Sequence, residues 1–235
     1  MRIEVLPPEK WAGRVADEWM SRLRADPTLR MCLPTGGTPK QLYREMAARA
    51  PDLSRAEVFI LDEFVGLPPG DPTRCDVMLQ RDFMGLLDRP PTLDAFDPAA
   101  DDLEVEALRY ETVVTSGGID LTMLGLGLNG HVALNEPGSH PADRVRVVDL
   151  HPATVRYVTE ASGIPAQQGL TLGLANILES REVWLLVTGA AKAGMLAEVI
   201  EGSIGPDVPA TYLRSHDNLV VFADEPAAGL LQGAI

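Results

Sequence analysis

Cysteine is scarce in this sequence, which excludes a fold held together by disulfides. Only Cys32 and Cys75 occur in 235 residues, too few for the framework of a small secreted domain. Cys32 lies in an apolar, strand-like run and is expected to be a small core residue. Cys75 is expected to be a surface thiol, and nothing near it in the sequence would lower its pKa.

Long hydrophobic runs are also missing. Every apolar stretch is far shorter than the roughly 20 residues that a membrane-spanning helix needs. Residues 1–6 resemble a first strand and charge follows at once, which is not typical of a signal peptide. We therefore expect a cytoplasmic protein without a membrane partner.

Positive charge is the third scarcity. The chain has 20 Lys and Arg against 34 Asp and Glu, a formal net charge of −14. Nucleic acids and anionic membrane surfaces both require a basic footprint, so neither is expected as a general partner. An anionic ligand would need a local group of N–H donors and cations. Because the only lysines are Lys10, Lys40 and Lys192, each is a candidate contact.

Strand-like and helix-like segments alternate along the chain, and 46% of its residues are hydrophobic. This alternation is typical of βαβ units. It predicts an α/β fold: an open, mostly parallel, doubly wound sheet with helices on both faces, a Rossmann-like three-layer sandwich. No linker or repeat divides the chain, so one domain is expected over residues 1–235. The predicted strands are 2–6, 29–33, 58–61, 121–126, 183–187 and 219–222, with 145–148 and 154–158 as a hairpin or edge strands. The predicted helices are 9–25, 40–50, 77–87, 103–114, 167–177, 190–201 and a turn near 226–231.

The segment 33–40, LPTGGTPK, joins a predicted strand to a predicted helix. Thr38 is a candidate N-cap, and Pro39 suits the first helical position. Glycines at such a bend let backbone N–H groups face outward beside the positive end of the helix dipole, a geometry that binds phosphate. A tight structural turn would explain Gly36 and Gly37 but not the paired Thr35 and Thr38. We therefore favour phosphate binding here, although the spacing is not that of a P-loop.

The segment 58–67, VFILDEFVGL, ends a buried strand with two acids. A carboxylate partly shielded from water at that position can act as a base. Asp62 could instead cap a turn or pair with an arginine, so this segment is a weak signal by itself. No spacing of two histidines supports a metal site.

The segment 121–138, LTMLGLGLNGHVALNEPG, carries the strongest signal. An apolar run passes into a Gly-rich bend that presents Asn129 and His131, then Asn135 and Glu136. Ligands bind at the carboxyl ends of strands in open α/β sheets. A lone histidine beside an apolar run is usually a core residue, but His131 has Glu136 as a candidate carboxylate partner and Asn129 as a candidate orienting group. Such a pair can carry protons near neutral pH, and no suitably placed Ser or Cys makes it a hydrolytic triad.

The segment 187–192, VTGAAK, is another strand-to-helix junction. Lys192 falls in the first helical turn, where a cation opposes the helix dipole. A bound anion would reverse that balance. Most lysines are simply solvated, but this position favours a ligand contact.

Read in order, these segments resemble the glucosamine-6-phosphate deaminase family, part of a superfamily shared with 6-phosphogluconolactonases. The resemblance covers nearly the whole chain, through LPTGGTP, LDEFVGL, GIDLTMLGLGLNGHVALNEPGS, GAAKA and VVFADEPA. The block NGHVALNEPG is the specific part. Lactonases usually carry a sequence like GxDGHTAS there, so the contrast favours the deaminase branch.

The resemblance implies a role for each matching residue, without a metal or organic cofactor. Asp62 matches the base that moves a proton between C2 and C1 of the opened sugar. His131 matches the ring-opening acid/base, with Glu136 as its carboxylate partner and Asn129 beside it. The phosphate contacts implied are Thr35, Gly36, Gly37, Thr38 and Lys192, with Arg156 as the best candidate for a phosphate-binding arginine.

Some residues depart from the family pattern. Asn129 stands where some members have Asp, and Arg74 and Cys75 replace a usual Ser-Tyr pair. Allosteric members use a basic cluster beyond the catalytic block. Here Arg146 is retained but Val148 replaces a lysine, and the longer C-terminal extension is missing. The resemblance therefore implies weak or absent activation by an N-acetylated sugar phosphate.

Three alternatives stay open at this point. A 6-phosphogluconolactonase would need the same phosphate contacts and His131 but has less need of Asp62. A galactosamine-6-phosphate deaminase would use the same residues. A sugar-phosphate sensor of the kind found in transcriptional regulators ranks last, because the chain lacks the length and basic charge for a DNA-binding domain. Oligomeric state and the physiological direction of the reaction are left open.

Overall fold

A seven-stranded parallel sheet forms the centre of the computed structural model, which describes residues 1–232. Its strands are β1 (Arg2–Leu6), β2 (Arg30–Leu33), β3 (Glu57–Ile60), β5 (Thr92–Asp94), β6 (Leu121–Gly125), β9 (Glu182–Val187) and β10 (Leu219–Asp224). A second sheet contains β4 (Asp62–Phe64), β7 (Arg146–Asp149) and β8 (Gln168–Thr171). The helices are α1 (Pro8–Ala25), α2 (Pro39–Ala48), α3 (Cys75–Asp82), α4 (Leu103–Thr115), α5 (Pro152–Ser162), α6 (Leu174–Leu178), α7 (Ala193–Glu201) and α8 (Glu225–Ala228).

The strand order of the large sheet creates a natural crevice. The order is β1-β10-β9-β6-β2-β3-β5, and every neighbouring pair is parallel. From β2 the chain continues to β3 on one side, whereas β6 lies on the other side of β2. Loops leaving β2 and β6 therefore diverge, which is the topological switch point where open α/β sheets bind ligands. The predicted fold class is confirmed.

The small sheet is antiparallel, with order β4-β8-β7. Because β4 starts directly after β3, it lies at the carboxyl end of the large sheet. Asp62 is its first residue and pairs with Thr171 of β8. The small sheet packs on its own apolar cluster, which includes Phe64, Leu134 and Val158. It forms one wall beside the crevice.

The main core explains why the strands are continuous apolar runs. Trp11, Trp19 and Trp184 are almost completely buried. The indole N–H of Trp11 donates to the carbonyl of Phe222 at 3.0 Å, so its polar atom is satisfied where water is excluded. Within residues 1–232, no helix is long and apolar enough to cross a membrane.

Two predicted segments were wrong. Residues 154–158 were predicted as a strand but lie in α5, because Pro152 starts a helix and the His151 ring accepts the Ala153 N–H at 3.2 Å. Residues 167–177 were predicted as one helix but form β8 and the short α6. Residues 168–171 pair antiparallel with β4 on one side and with β7 on the other. Gly169 permits close packing there, because an added Cβ would lie 2.4 Å from Leu134 Cδ1.

The other differences between the predicted and observed elements are smaller. The predicted helix 77–87 is α3 followed by one 3₁₀ turn, Met84–Leu86, and the helix predicted over 190–201 begins as a 3₁₀ turn, Ala190–Lys192. The three-residue strands β4 and β5 were missed, because each is too short to show a two-residue alternation. The strand predicted over 145–148 is present as β7.

Candidate active site

A cavity of about 490 Å³ lies at the switch point, within the size range of small-molecule sites. Four strand-to-loop junctions line it: the turn after β2, the start of β4, the bend after β6 and the turn after β9. The predicted residues Thr35, Gly36, Gly37, Thr38, Asp62, Asn129, His131 and Lys192 are all among its lining residues. The parallel topology therefore brings together segments that are far apart in the sequence.

The turn after β2 forms one end of the cavity with Thr35, Gly36, Gly37 and Thr38. Gly36 has φ +93°, a backbone conformation that favours glycine. Pro39 is the first residue of α2, as predicted, so the positive end of this ten-residue helix is directed toward the turn. The predicted capping role of Thr38 is wrong, because its backbone is already helical and its side chain makes no capping hydrogen bond. Its hydroxyl therefore does not serve the helix.

Asp62 lies in the cavity wall between the two sheets, half-buried. Burial raises the pKa of its carboxyl from 3.8 to about 6, opposed by the Cys75 thiol and by the nearby His131. Such a carboxylate is ionised at neutral pH yet is a stronger base than an exposed aspartate.

Glu63, the second acid of the pair, has a different environment. Its side chain is fully buried and accepts the backbone N–H groups of Phe64 and Cys75 at 2.9 Å and of Asp76 at 3.0 Å. The bonds from Cys75 and Asp76 satisfy N–H groups at the start of α3, which have no partner within the helix. Glu63 therefore fixes α3 against β4.

Cys75 is buried, so the expectation of a surface thiol was wrong. Its Sγ lies 3.4 Å from Asp62 Oδ1 and 3.6 Å from Thr35 Oγ1. Burial first, and then the neighbouring Asp62 and Glu63 carboxylates, raise its pKa well above the ordinary value. Cys75 therefore stays a protonated thiol at neutral pH.

His131 belongs to a hydrogen-bonded group at the bend after β6. Its Nδ1 lies 2.6 Å from Asn129 Oδ1 and 3.2 Å from Glu136 Oε2. Asn129 Nδ2 donates to Glu136 Oε2, and Thr154 Oγ1 donates to Glu136 Oε1, both at 2.6 Å. Burial alone would raise the pKa of Glu136, but the interactions with His131, Thr154 and Asn129 lower it to about 2. An ionised Glu136 and the Asn129 carbonyl hold a proton on Nδ1, which leaves Nε2 to accept one.

Gly127 permits the ring of His131 to occupy this position. A Cβ on Gly127 would lie 2.4 Å from His131 Nδ1. No side chain fits there, which gives a packing reason for one glycine of the Gly-rich bend. Asn135, four residues after His131, is buried and donates to the carbonyls of Val132 and Leu172 at 3.0 and 2.8 Å. It shapes the bend and does not face the cavity.

Lys192 brings a positive charge to the cavity. It is half-buried, donates to the Leu126 carbonyl, and burial lowers its pKa. The turn that carries Lys192 is anchored to the end of β10. There the Asp224 carboxylate accepts the Gly189 N–H at 2.9 Å and the Ala227 N–H at 2.8 Å. Asp224 therefore fixes both the turn that carries Lys192 and the start of α8.

Arg156 is the one predicted phosphate contact that the structure does not bring to the cavity. It is exposed on α5, whereas Ala153, Thr154 and Tyr157 of the same helix line the cavity. Arg156 is therefore not among the residues through which α5 contributes to the cavity wall. The sequence analysis did not identify Thr154 as a site residue. Recognising Pro152 as the start of a helix would have placed Thr154 in the first turn of α5.

A larger depression of about 660 Å³ lies at the opposite, amino end of the strands. Its charges neutralise one another: Arg22 pairs with Glu182 at 2.9 Å, and Arg181 with Asp120 at 2.8 Å. The switch-point cavity is the better candidate, because it joins a cation, a basic carboxylate and an imidazole. Among residues 1–232, no group of three or more His, Cys, Asp and Glu side chains could hold a metal ion.

The chain is similar to known proteins over nearly its whole length. The model of the family described as glucosamine-6-phosphate isomerases/6-phosphogluconolactonase matches residues 8–222. A glucosamine-6-phosphate deaminase of Rhodopirellula baltica is 35% identical, covering 98% of this chain and 96% of that protein. The corresponding protein of a Geobacillus species is 34% identical, covering 97% of this chain and 95% of that one.

Solved structures of two proteins are also similar to this chain. A monomeric glucosamine-6-phosphate deaminase is 30% identical with a TM-score of 0.90, covering 98% of this chain and 100% of that chain. The 6-phosphogluconolactonase of Trypanosoma cruzi has a TM-score of 0.79 at 21% identity, covering 99% of this chain and 97% of that chain. At that identity the second likeness shows the fold alone.

Proposed function

Because this chain belongs to the family of glucosamine-6-phosphate isomerases and 6-phosphogluconolactonases, we propose that it is a glucosamine-6-phosphate deaminase. The proposed reaction converts glucosamine 6-phosphate and water into fructose 6-phosphate and ammonia. The observation that carries the proposal is the shared cavity, which has Asp62 and His131 in its wall and Lys192 with the 35–38 turn beside them. We further propose that residues 1–235 act as one cytoplasmic domain without a metal or organic cofactor.

The phosphate is proposed to bind at the turn after β2 and to Lys192. Backbone N–H groups of the 35–38 turn and the hydroxyl of Thr38 would donate to its oxygens, with the start of α2 adding positive potential. Because the net charge is −14, this local group of donors must overcome general repulsion of an anion. Holding the remote phosphate positions the reacting carbons.

His131 is proposed to open the sugar ring. Nδ1 is held by Asn129 and Glu136, so Nε2 would take the proton of the C1 hydroxyl and pass it to the ring oxygen. The ionised Glu136 stabilises the imidazolium that forms in between. Asn129 orients the ring but cannot share its proton, because an amide does not titrate.

Asp62 is proposed to catalyse the isomerisation. The carboxylate removes the C2 proton of the open aldose and returns it to C1. The C1 carbonyl oxygen gains a proton and the C2 amine loses one, so the product has a C1 hydroxyl and an imine at C2. Water adds to this imine to give a carbinolamine, and loss of ammonia leaves the ketone of fructose 6-phosphate. A lactone hydrolysis would involve no such carbon-to-carbon proton transfer, so the basic carboxylate favours the deaminase.

A coupled ammonia assay over a small substrate panel tests the proposed function. We expect ammonia release from glucosamine 6-phosphate with formation of fructose 6-phosphate, and no matching hydrolysis of 6-phosphogluconolactone. Preferred turnover of galactosamine 6-phosphate would reassign the epimer. Lactone hydrolysis without ammonia release would refute the deaminase proposal.

Replacing Thr154 by valine tests whether the Thr154 hydroxyl supports Glu136 in catalysis. The variant loses the 2.6 Å hydrogen bond to Glu136 Oε1 but keeps the side-chain shape. Because a hydrogen bond to a charged group contributes about 1.5–3 kcal/mol, we expect kcat to fall by about tenfold with a small change in KM. Thr159→Val is the matched control, since that hydroxyl donates to the Val155 carbonyl of the same helix and lies outside the Glu136 group. Equal rates for both variants would argue against a role for Thr154.

A further inference from the structure

Cys75 occupies a position that the mechanism above leaves unused. It is buried, lines the cavity, and its Sγ lies 3.4 Å from Oδ1 of Asp62, the proposed base. The family resemblance implies a tyrosine at this position, whereas this chain has a thiol in contact with the proposed base.

The hydrogen-bond directions around the sulfur are fixed by the count of protons. A thiol has one proton, and the ionised Asp62 carboxylate can only accept. The S–H must therefore donate to Asp62 Oδ1. The hydroxyl of Thr35, 3.6 Å from Sγ, is then the donor to the sulfur. The two hydrogen bonds form a chain that runs from Thr35 in the proposed phosphate-binding turn, through Cys75, to the proposed base, Asp62.

The backbone around Cys75 is held rigidly. Its N–H donates to Glu63 Oε1 at 2.9 Å, and Glu63 is the neighbour of Asp62 in β4. The start of α3 is thereby anchored to the strand that carries the base. Sγ and Oδ1 thus have a defined separation, which a positioning contact requires.

We propose that Cys75 is a positioning residue for the proton transfer, its thiol donating to Asp62 Oδ1 so that the carboxylate stays ionised and its other oxygen is directed at the substrate. This inference rests on the proposed deaminase function. Thr35 holds the thiol in the donating orientation and links it to the phosphate-binding turn.

The charged groups around Asp62 all remain when Cys75 is changed. His131 lowers the pKa of Asp62, and burial raises it. The remaining titratable or charged groups on the adjoining segments are Glu63 on β4, the Arg74–Asp76 ion pair at the start of α3, Glu136 beyond His131, and Lys192 across the cavity. Cys75→Ser keeps a donor at this place, so the comparison of the serine and alanine variants tests the hydrogen bond.

The expected pH dependence follows from the direction in which that hydrogen bond shifts the pKa of Asp62. A donor to the ionised form lowers a carboxyl pKa. With the pKa of Asp62 at about 6, kcat/KM of the wild type should fall tenfold per unit as pH decreases below about 6, because the base becomes protonated. Without the thiol donor the pKa rises, and the same fall begins at a higher pH. For one weak hydrogen bond the shift is roughly half a unit, or about threefold in kcat/KM on the acidic limb.

The experiment is a pH profile of kcat/KM for ammonia release by wild type, Cys75→Ala, Cys75→Ser and Cys32→Ala. Cys32→Ala is the matched control, since Cys32 is equally buried but lies in β2 away from the cavity. In Cys75→Ala we expect the acidic limb of the profile, where kcat/KM falls with decreasing pH, to move to a pH roughly half a unit higher. In Cys75→Ser it should stay at the wild-type pH or lie below it. In Cys32→Ala it should not move. A general loss of packing would change the melting temperature without moving the limb.

The inference is overturned if the limb of Cys75→Ala coincides with that of the wild type, or if Cys75→Ser shifts upward as alanine is expected to. If the alanine variant does not fold, the serine variant decides, since a hydroxyl keeps the donor. A wild type that releases no ammonia refutes the proposed function itself, so the two failures are distinguishable.

Discussion

Replacing Asp62 by asparagine is expected to lower kcat by about 10³- to 10⁴-fold, the upper range for loss of a general base. The amide keeps the shape of the carboxylate but cannot accept a proton from C2. The phosphate contacts lie at the other segments of the cavity, so binding of a phosphate ester should change little. Steady-state kinetics and a binding titration with a non-reacting sugar phosphate measure the two quantities separately.

The same variant should gain stability, which separates loss of the base from damage to the fold. Because burial raises the folded-state pKa of Asp62 from 3.8 to about 6, its stabilising contribution is present at low pH and is lost as pH rises through that window. At pH 8 the charged form is a cost that asparagine removes. We expect the free energy of unfolding to rise by up to about 2 kcal/mol at pH 8, and to change less at pH 4. Retained turnover, or a less stable protein at pH 8, would contradict the assignment.

Replacing Lys192 by alanine is expected to raise KM by about 100-fold or more with a smaller change in kcat, since truncating one partner of a partly buried charge pair costs about 2–5 kcal/mol. Lys192 is the only lysine or arginine among the described residues that line the cavity. Its pKa is lowered by burial, and a phosphate dianion would stabilise its charged form. The measurement is KM for glucosamine 6-phosphate at constant ionic strength.

Lys40→Ala is the matched control for this charge. Lys40 follows the same phosphate-binding turn, but its ammonium pairs with Asp82 at 3.5 Å and it does not line the cavity. We expect a nearly unchanged KM for that variant. An equal rise in both variants would indicate a general charge effect, and an unchanged KM in Lys192→Ala would refute the phosphate contact.

Local sequence patterns were sufficient where one segment determines its own structure. The alternation of apolar runs and amphipathic stretches predicted the parallel sheet. The strand-to-loop junctions predicted that Asp62, His131 and Lys192 lie together at one edge of the sheet, because the carboxyl ends of parallel strands meet there, and all three line one cavity. The segment around Glu136 also predicted its own contact, since Asn129, His131 and Glu136 lie within eight residues.

Only the tertiary structure decided the contacts between segments. The thiol of Cys75 reaches an aspartate 13 residues away and a threonine 40 residues away, and Thr154 reaches Glu136 across 18 residues. The exposure of Arg156 depends on α5, where helix capping prevailed over a strand-like pattern. Propensity and periodicity describe a segment by itself, whereas burial and side-chain partners depend on which strands become neighbours, and that order was fixed by packing.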